Sequence, residues 1–257
     1  MNIFKKNLTI VLFKMFGLKI FMLYGDPLIY DRWKFLRKYL LSGNYRTLDV
    51  GSGSGFFTIY AAAIGNTSIG ISIDEHNNQA GRDLAEFLKI KNLKILDADL
   101  RDLERLSNDI GFFDQIICFE TIEHVKDDEK LILGMSRILK PGGRLILTTP
   151  NKNYKPLIFD EISECEDGGH VRWGYTVDEL SGLLKRYGIR IIYYSYISGL
   201  ISQKIANFDR RLIKCNYWLR LIIVTFFRLF MIFDELFTRI TKYPYLSIGV
   251  VGIKNSK

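Results

Sequence analysis

Thr47-Leu48-Asp49-Val50-Gly51-Ser52-Gly53-Ser54-Gly55 is the stretch on which the reading of this chain turns. An aliphatic strand end runs through Asp49 into three glycines spaced two apart, and Phe56 to Ala63 follows with helix-compatible apolar spacing. Glycines permit a tight strand-to-helix turn and let backbone amides approach a ligand with no Cβ in the way. The loop should end at a helix N-terminus, which favours a negative group. A dinucleotide-binding turn needs its third glycine three residues after the second. Phe56 stands there, so the spacing departs from that of a dehydrogenase. Asp49 would repel a pyrophosphate but suits a ligand that carries an ammonium group.

Outward from this loop, short apolar runs alternate with helical segments. Ser68 to Ile73, Leu93 to Leu96, Phe113 to Phe119 and Arg144 to Thr149 read as strands. Asn78 to Lys89 and Asp128 to Leu139 read as helices, the second stopped by Lys140-Pro141-Gly142-Gly143. A further helix over Val177 to Tyr187, a strand over Ile189 to Ile197 and a last strand over Tyr245 to Ile253 complete the pattern. Such alternation implies right-handed crossovers and a mostly parallel sheet covered on both faces. Ligands of these sheets lie beyond the carboxyl ends of the strands, where strand order reverses. The polar residues singled out below all fall at strand ends.

The octet from Leu48 to Gly55 resembles motif I of the class I S-adenosylmethionine-dependent methyltransferases, and the resemblance covers roughly residues 45 to 195 and again the last strand. It implies an α/β, Rossmann-like, mostly parallel seven-stranded sheet with helices on both faces, and S-adenosyl-L-methionine as cofactor. By the same resemblance Asp49, Gly51, Ser52, Gly53 and Gly55 hold the amino-acid end of the cofactor. The family's acidic ribose ligand would fall at Ser72, and here the acids come later, at Asp74 and Glu75. Asp74 is the preferred ribose ligand, its alternative role being an N-cap, because a charged acceptor makes the stronger hydrogen bond. Asp99 and Leu100 look like the adenine-binding segment.

Glu120-Thr121-Ile122-Glu123-His124 at the tip of the fourth strand is similar to a block in the small-molecule methyltransferases, including the ubiquinone-biosynthesis O-methyltransferases. Three readings stay open for it: His124 as general base, a partial metal site of Glu120, Glu123 and His124, or His124 packing against the cofactor. The assignment taken forward has Glu120 beside the cofactor, His124 as base and no metal. His170, in the segment Gly169 to Thr176, is a second base candidate, and Trp173 or Tyr175 could line the acceptor pocket.

Charge is unevenly placed along the 257 residues. The net of +8 divides into +7 over residues 1–47, −5 over 48–150 and +6 over 151–257. Basic flanks around an acidic cofactor domain point to an anionic surface, membrane or nucleic acid. Base-modifying nucleic-acid methyltransferases carry Asn/Asp-Pro-Pro-Tyr/Phe after the fourth strand, to hold a flipped base. Phe119-Glu120-Thr121-Ile122 occupies that place, so no nucleic-acid partner is expected. Three scattered cysteines form neither a disulfide framework nor a zinc site and suit a reducing cytoplasm. Leu8 to Tyr24 is apolar but interrupted by Lys14, Gly17 and Lys19, short of the ~20 residues of a spanning helix. It reads as helices packed on the domain or lying at a membrane surface.

The expected organisation is an N-terminal helical cap (1–44), the cofactor domain (45–200), an apolar basic helical insert (201–244) and the final strand (245–257). Within the insert, Ile205 to Tyr243 reads as one helix with Lys214, Arg220, Arg228, Glu235 and Arg239 on about a third of its circumference. It would serve as a lid or as a monotopic contact with anionic lipid. The function expected is methyl transfer to a small-molecule or lipid- or glycan-linked acceptor, at oxygen. A nucleic-acid methyltransferase and a noncatalytic cofactor-binding module are the alternatives.

Overall fold

The computed structural model describes residues 26–157 and 161–256. Leu8 to Tyr24, read above as helical, lies outside the described residues. Helix α1 (Pro27–Tyr39) comes first, entered through Asp26, whose carboxylate caps the Leu28 amide, with Pro27 at the position where a missing N–H costs nothing.

The body of the protein then alternates as β1 (Arg46–Val50), α2 (Phe56–Ala63), β2 (Thr67–Ser72), α3 (Glu75–Phe87), β3 (Leu93–Asp97), α4 (Leu103–Ile110), β4 (Phe113–Phe119), α5 (Asp128–Ile138), β5 (Leu139–Pro150), α6 (Val177–Arg186), β6 (Ile189–Ile197) and β7 (Ser247–Lys254). The seven strands form one sheet in the order β3-β2-β1-β4-β5-β7-β6. Pairings through β5 are parallel, and β7 runs antiparallel to both of its neighbours. Strand order reverses between β1 and β4, which places the crevice for a ligand at Gly51 and Glu120.

Strand alternation sends the side chains of β4 to two different cores. Ile116 and Cys118 join Leu103, Leu131, Met135 and Leu184 under α4, α5 and α6. Ile117 and Phe119 meet Phe35, Leu36 and Ala61 of α1 and α2. Each fully buried Ile or Leu contributes roughly 1.5–3 kcal/mol relative to exposure, so the two layers together hold the sheet flat against its helices.

Three expectations need correcting. Residues 140–143 do not separate helix from strand as a turn; β5 already starts at Leu139, opposite Phe113, and the register then jumps so that Arg144 faces Gln115. The extra residues form a bulge, with Gly142 in the left-handed region at φ +73°. Helix α4 was not anticipated, because Leu103 and Ile110 are the buried residues it contributes and polar residues fill the rest. The insert is not one helix. It comprises α7 (Leu200–Arg211), α8 (Tyr217–Arg228) and α9 (Asp234–Thr241), joined by short 3-10 turns. Cys215 is extended, and Arg220 returns to clamp Asp209 at 2.6 and 2.7 Å, folding α8 back on α7.

Candidate functional site

The glycine turn is built by three residues with different tasks. Gly51 has φ +76°, and a Cβ there would lie 2.2 Å from Thr121 Oγ1, so this glycine serves the packing of β1 against the β4 tip. Gly55, at φ +73°, would collide with Ile95 Cδ1 at 2.7 Å. Gly53, at φ +51°, faces open space, with nothing within 4 Å of its missing Cβ. Only the middle glycine therefore borders a vacant cradle. Ser52 beside it is buried, and its Oγ meets no partner in the protein. Gly55 also caps α2 without any side chain, leaving the helix N-terminus to the mouth of the turn.

Asp49 is 2 % exposed and accepts a hydrogen bond from Thr58 Oγ1 of α2 at 2.7 Å. Burial pushes its carboxyl up to about 7, against a smaller opposing effect of Thr58. A cation set beside it would reverse that cost. An open glycine cradle, an orphaned hydroxyl, an uncapped helix end and a buried acid fit the ammonium and carboxylate of an amino-acid tail.

Farther along the carboxyl edge the predicted residues are more engaged. Asp74 caps α3, taking the Asn77 amide at 3.0 Å and its side chain at 2.6 Å, while Ser72 Oγ accepts from the Asp74 amide at 3.3 Å. Asp99 starts the 3-10 turn Leu100–Asp102 and is gripped by the Arg101 guanidinium, which holds its carboxyl below the usual range. Arg101 also bonds Glu166 at 2.6 Å. An adenine amine would have to share Asp99 with Arg101. Ile73, 61 % exposed at the tip of β2, and Asp97, bonded by Asn78 at 2.8 Å, border the same region and were not foreseen.

At the tip of β4 the chain is forced into an unusual shape. Glu120 adopts φ +46°, and Thr121 Oγ1 donates to the Phe119 carbonyl at 2.9 Å and contacts the Val50 carbonyl at 3.2 Å. Glu120 pairs with Arg32 of α1 at 3.1 Å and accepts from Ser247 Oγ at 3.2 Å. Arg32 was missed in the sequence. Glu123 is fully buried; burial, and then the charge of Glu120, raise its carboxyl well above the usual range. Thr149 Oγ1 lies 3.2 Å from one Glu123 oxygen, and the other has no partner.

His124 and His170 stand edge to face with ring centroids 4.8 Å apart. His124 Nδ1 lies 2.9 Å from the Gly169 carbonyl. A carbonyl only accepts, so Nδ1 carries the proton and Nε2 keeps its lone pair for use as a base. Ligand atoms of Glu123, His124 and His170 all fall within 4.8 Å of one another, a carboxylate and two imidazoles that could hold a divalent cation. Glu120, which the sequence grouped with Glu123 and His124, turns instead to Arg32. Trp173 and Tyr175 do not share this pocket equally: Tyr175 is buried, its hydroxyl bonded to Asp128 at 2.6 Å, and Trp173 is half exposed beside Tyr154.

Residues 41–185 match the model of a family described as a methyltransferase domain. The chain is similar to a ubiquinone biosynthesis O-methyltransferase of Coxiella burnetii, 29% identical over 128 residues, which are 50% of this chain and 53% of that protein. It thus spans about half the length of the curated relatives it matches. Among solved structures it resembles phosphoethanolamine N-methyltransferase 2 of Haemonchus contortus in complex with S-adenosyl-L-methionine, with a TM-score of 0.61, 16% identity and coverage of 93% of this chain and 57% of that one. A coclaurine N-methyltransferase bound to N-methylheliamine and SAH gives a TM-score of 0.58 at 14% identity, covering 88% and 72%. These two likenesses speak for the fold.

Proposed function

We propose that this chain, which belongs to the methyltransferase-domain family, uses S-adenosylmethionine to methylate a hydroxyl oxygen of a small acceptor, free or linked to a lipid or glycan. The single observation that carries the oxygen assignment is His124, whose Nε2 is left as a proton acceptor by the Nδ1 contact with Gly169. The name of the Coxiella relative supports the same reading.

Bound S-adenosylmethionine supplies a methyl group on a sulfonium, already activated toward displacement. The chain's residues have three tasks. Asp49, Ser52 and Gly53 hold and orient the amino-acid end, and Asp74, Asp99, Leu100 and Glu120 border the nucleoside end. The Glu120–Arg32 pair offsets the charge of Glu120 at the strand tip. His124 Nε2 takes the acceptor's proton as its oxygen attacks in line, which matters because a neutral hydroxyl is a poor nucleophile.

Calorimetry with S-adenosylhomocysteine tests the cofactor cradle. Gly53→Ala should weaken binding at least ~10-fold, since its methyl would enter the open space, at a stability cost of about 1 kcal/mol for the left-handed backbone. Gly51→Ala should instead lower the melting temperature much more, because its methyl overlaps Thr121. Equal binding by wild type and Gly53→Ala would refute the assignment of the cradle. A second reading has support in the grouping of Glu123, His124 and His170. If a cation held there activates the acceptor, chelation will abolish turnover and added magnesium or zinc will restore it; under the base reading, turnover survives chelation.

A further inference from the structure

Insert residues 200–246 lie outside the family match and carry eight basic residues against three acidic ones. Two of the insert's three acids are engaged within it: Asp234 accepts from the amides of Gly199, Ile201 and Ser202 at 2.8, 2.6 and 3.1 Å, and Arg220 closes on Asp209. Ile205, Val224 and Met231 make a small core, but many of the insert's apolar side chains turn outward. Ile222, Phe226 and Leu229 form one stripe and Ile232, Leu236 and Ile240 the next, all 55–79 % exposed. Rings of Phe208, Phe226, Phe227 and Phe230 pack together beside the first stripe, with centroids 5.4–6.5 Å apart. Contiguous apolar surface of this kind is uncommon on a monomer that faces water on all sides.

The surface also shares an edge with the reaction centre. Ser247 pairs with both Ile197 and Pro150, so the insert leaves and re-enters the sheet at the carboxyl ends of the strands. Ser198 Oγ bonds Asp31 at 3.0 Å, and Ser247 Oγ bonds Glu120 at 3.2 Å. A groove of about 630 Å³ opens between α7 and α9, walled by Ile201, Ile205, Phe230, Phe233 and Phe237 with Lys204 at its side.

We propose that this insert is an in-plane membrane foot, which sets its outward apolar face into an anionic bilayer and receives the hydrocarbon tail of a lipid-borne acceptor in the α7–α9 groove. The acceptor class rests on the methyltransferase reading above; the foot does not. Charge selects the occupant. Lys204, Arg211, Lys214 and Lys242 are exposed, whereas Asp209 and Glu235 are matched by Arg220 and Arg239, and Asp234 is buried. A second copy would bring an equally basic insert against the first, and residues 1–25, with four lysines and no acid, are no better match. Anionic lipid head groups complement the rim, and acyl chains complement the stripes. Length settles the orientation: 12 residues of α8 reach roughly 18 Å, well short of a ~30 Å hydrocarbon core, and no described helix is long and apolar enough to cross a membrane.

Flotation of the full chain with vesicles tests the proposal. The wild type should float with phosphatidylglycerol-rich vesicles and much less with phosphatidylcholine. The combined change Leu229→Gln, Ile232→Gln and Ile240→Gln should lower partition at least ~10-fold, and Lys204→Gln with Lys242→Gln should weaken the preference for anionic lipid. Circular dichroism and S-adenosylhomocysteine binding should stay as in the wild type, because all five side chains are exposed. Failure of the wild type to float, an unchanged triple variant, or a dimer that the triple variant dissolves would overturn the foot. Flotation without any heat from S-adenosylhomocysteine would leave the foot standing and remove the acceptor class instead.

Discussion

Asp49→Asn gives a protein that melts about 5 °C above the wild type at pH 8 yet binds S-adenosylmethionine about 100-fold more weakly. Both effects follow from one buried carboxyl whose folded pKa lies near 7, against about 3.9 in an unfolded chain. Between those values the native state holds a proton that the unfolded chain has released, so stability falls as pH climbs through the window and stays low above it. Asparagine keeps an acceptor for Thr58 Oγ1 and removes the charge; relief of about 2 kcal/mol at pH 8 corresponds to several degrees in a chain of this size. The gain should shrink as pH falls from 7 toward 4. Glu123, also pushed up by burial, does not feel Asp49 and cancels in the comparison, whereas Cys118, pushed up first by burial and in part by Asp49 itself, stays a neutral thiol at pH 8 in both proteins. The loss of affinity arises because an ammonium set beside an amide recovers much less than beside a carboxylate, and 100-fold corresponds to about 2.7 kcal/mol. Wild-type affinity should rise with pH through about 7, as binding expels the proton. Melting curves at three pH values with calorimetry check the pair of effects; equal affinity in the variant would remove Asp49 from the cofactor site.

The second large effect concerns turnover. His124→Ala should lower kcat about 10²–10⁴-fold, the usual worth of a positioned base, and change the cofactor Kd by less than about threefold because Asp49 and Gly53 are untouched. A residue that only packs would show the same deficit at every pH. A base is needed only while the acceptor is protonated, so the deficit should narrow as pH nears about 10 for a phenol-like hydroxyl. A pH-independent deficit would sink the base assignment. His170 packs its ring edge to face with that of His124 and so belongs to positioning; His170→Ala should cost less than His124→Ala.

Most of the sheet could be read from residues because each strand sits between strong local signals. Asp49-Val50-Gly51 marks both the end of β1 and the reversal of strand order, and Phe113 to Phe119 is apolar apart from Asp114 and Gln115 because both of its faces are covered. What failed was long range or locally faint. Helix α4 offers Leu103 and Ile110 to the core and otherwise looks like a polar loop. A single helical wheel drawn over residues 205–243 assumed continuity that Cys215 breaks, and it placed Arg220 at a surface when Asp209 claims it. Nothing near Glu120 announces Arg32, and nothing near His124 announces His170; both partnerships are made by tertiary packing. Asp74 and Asp99 show the opposite case, where a local role, capping a helix or a turn, is evident and the ligand role remains a proposal.

The ion pair between Arg32 and Glu120 has a practical bearing on how this protein should be produced. The family match begins at residue 41, after α1 has ended. A recombinant fragment trimmed to that start would lose Arg32 and strand a nearly buried acid, a defect that commonly costs about 3–5 kcal/mol. It would also strip Phe35 and Leu36 from Ile117 and Phe119, leaving α2 alone to cover that side of the central strand. Expression boundaries chosen by homology would thus cut through this fold instead of around it.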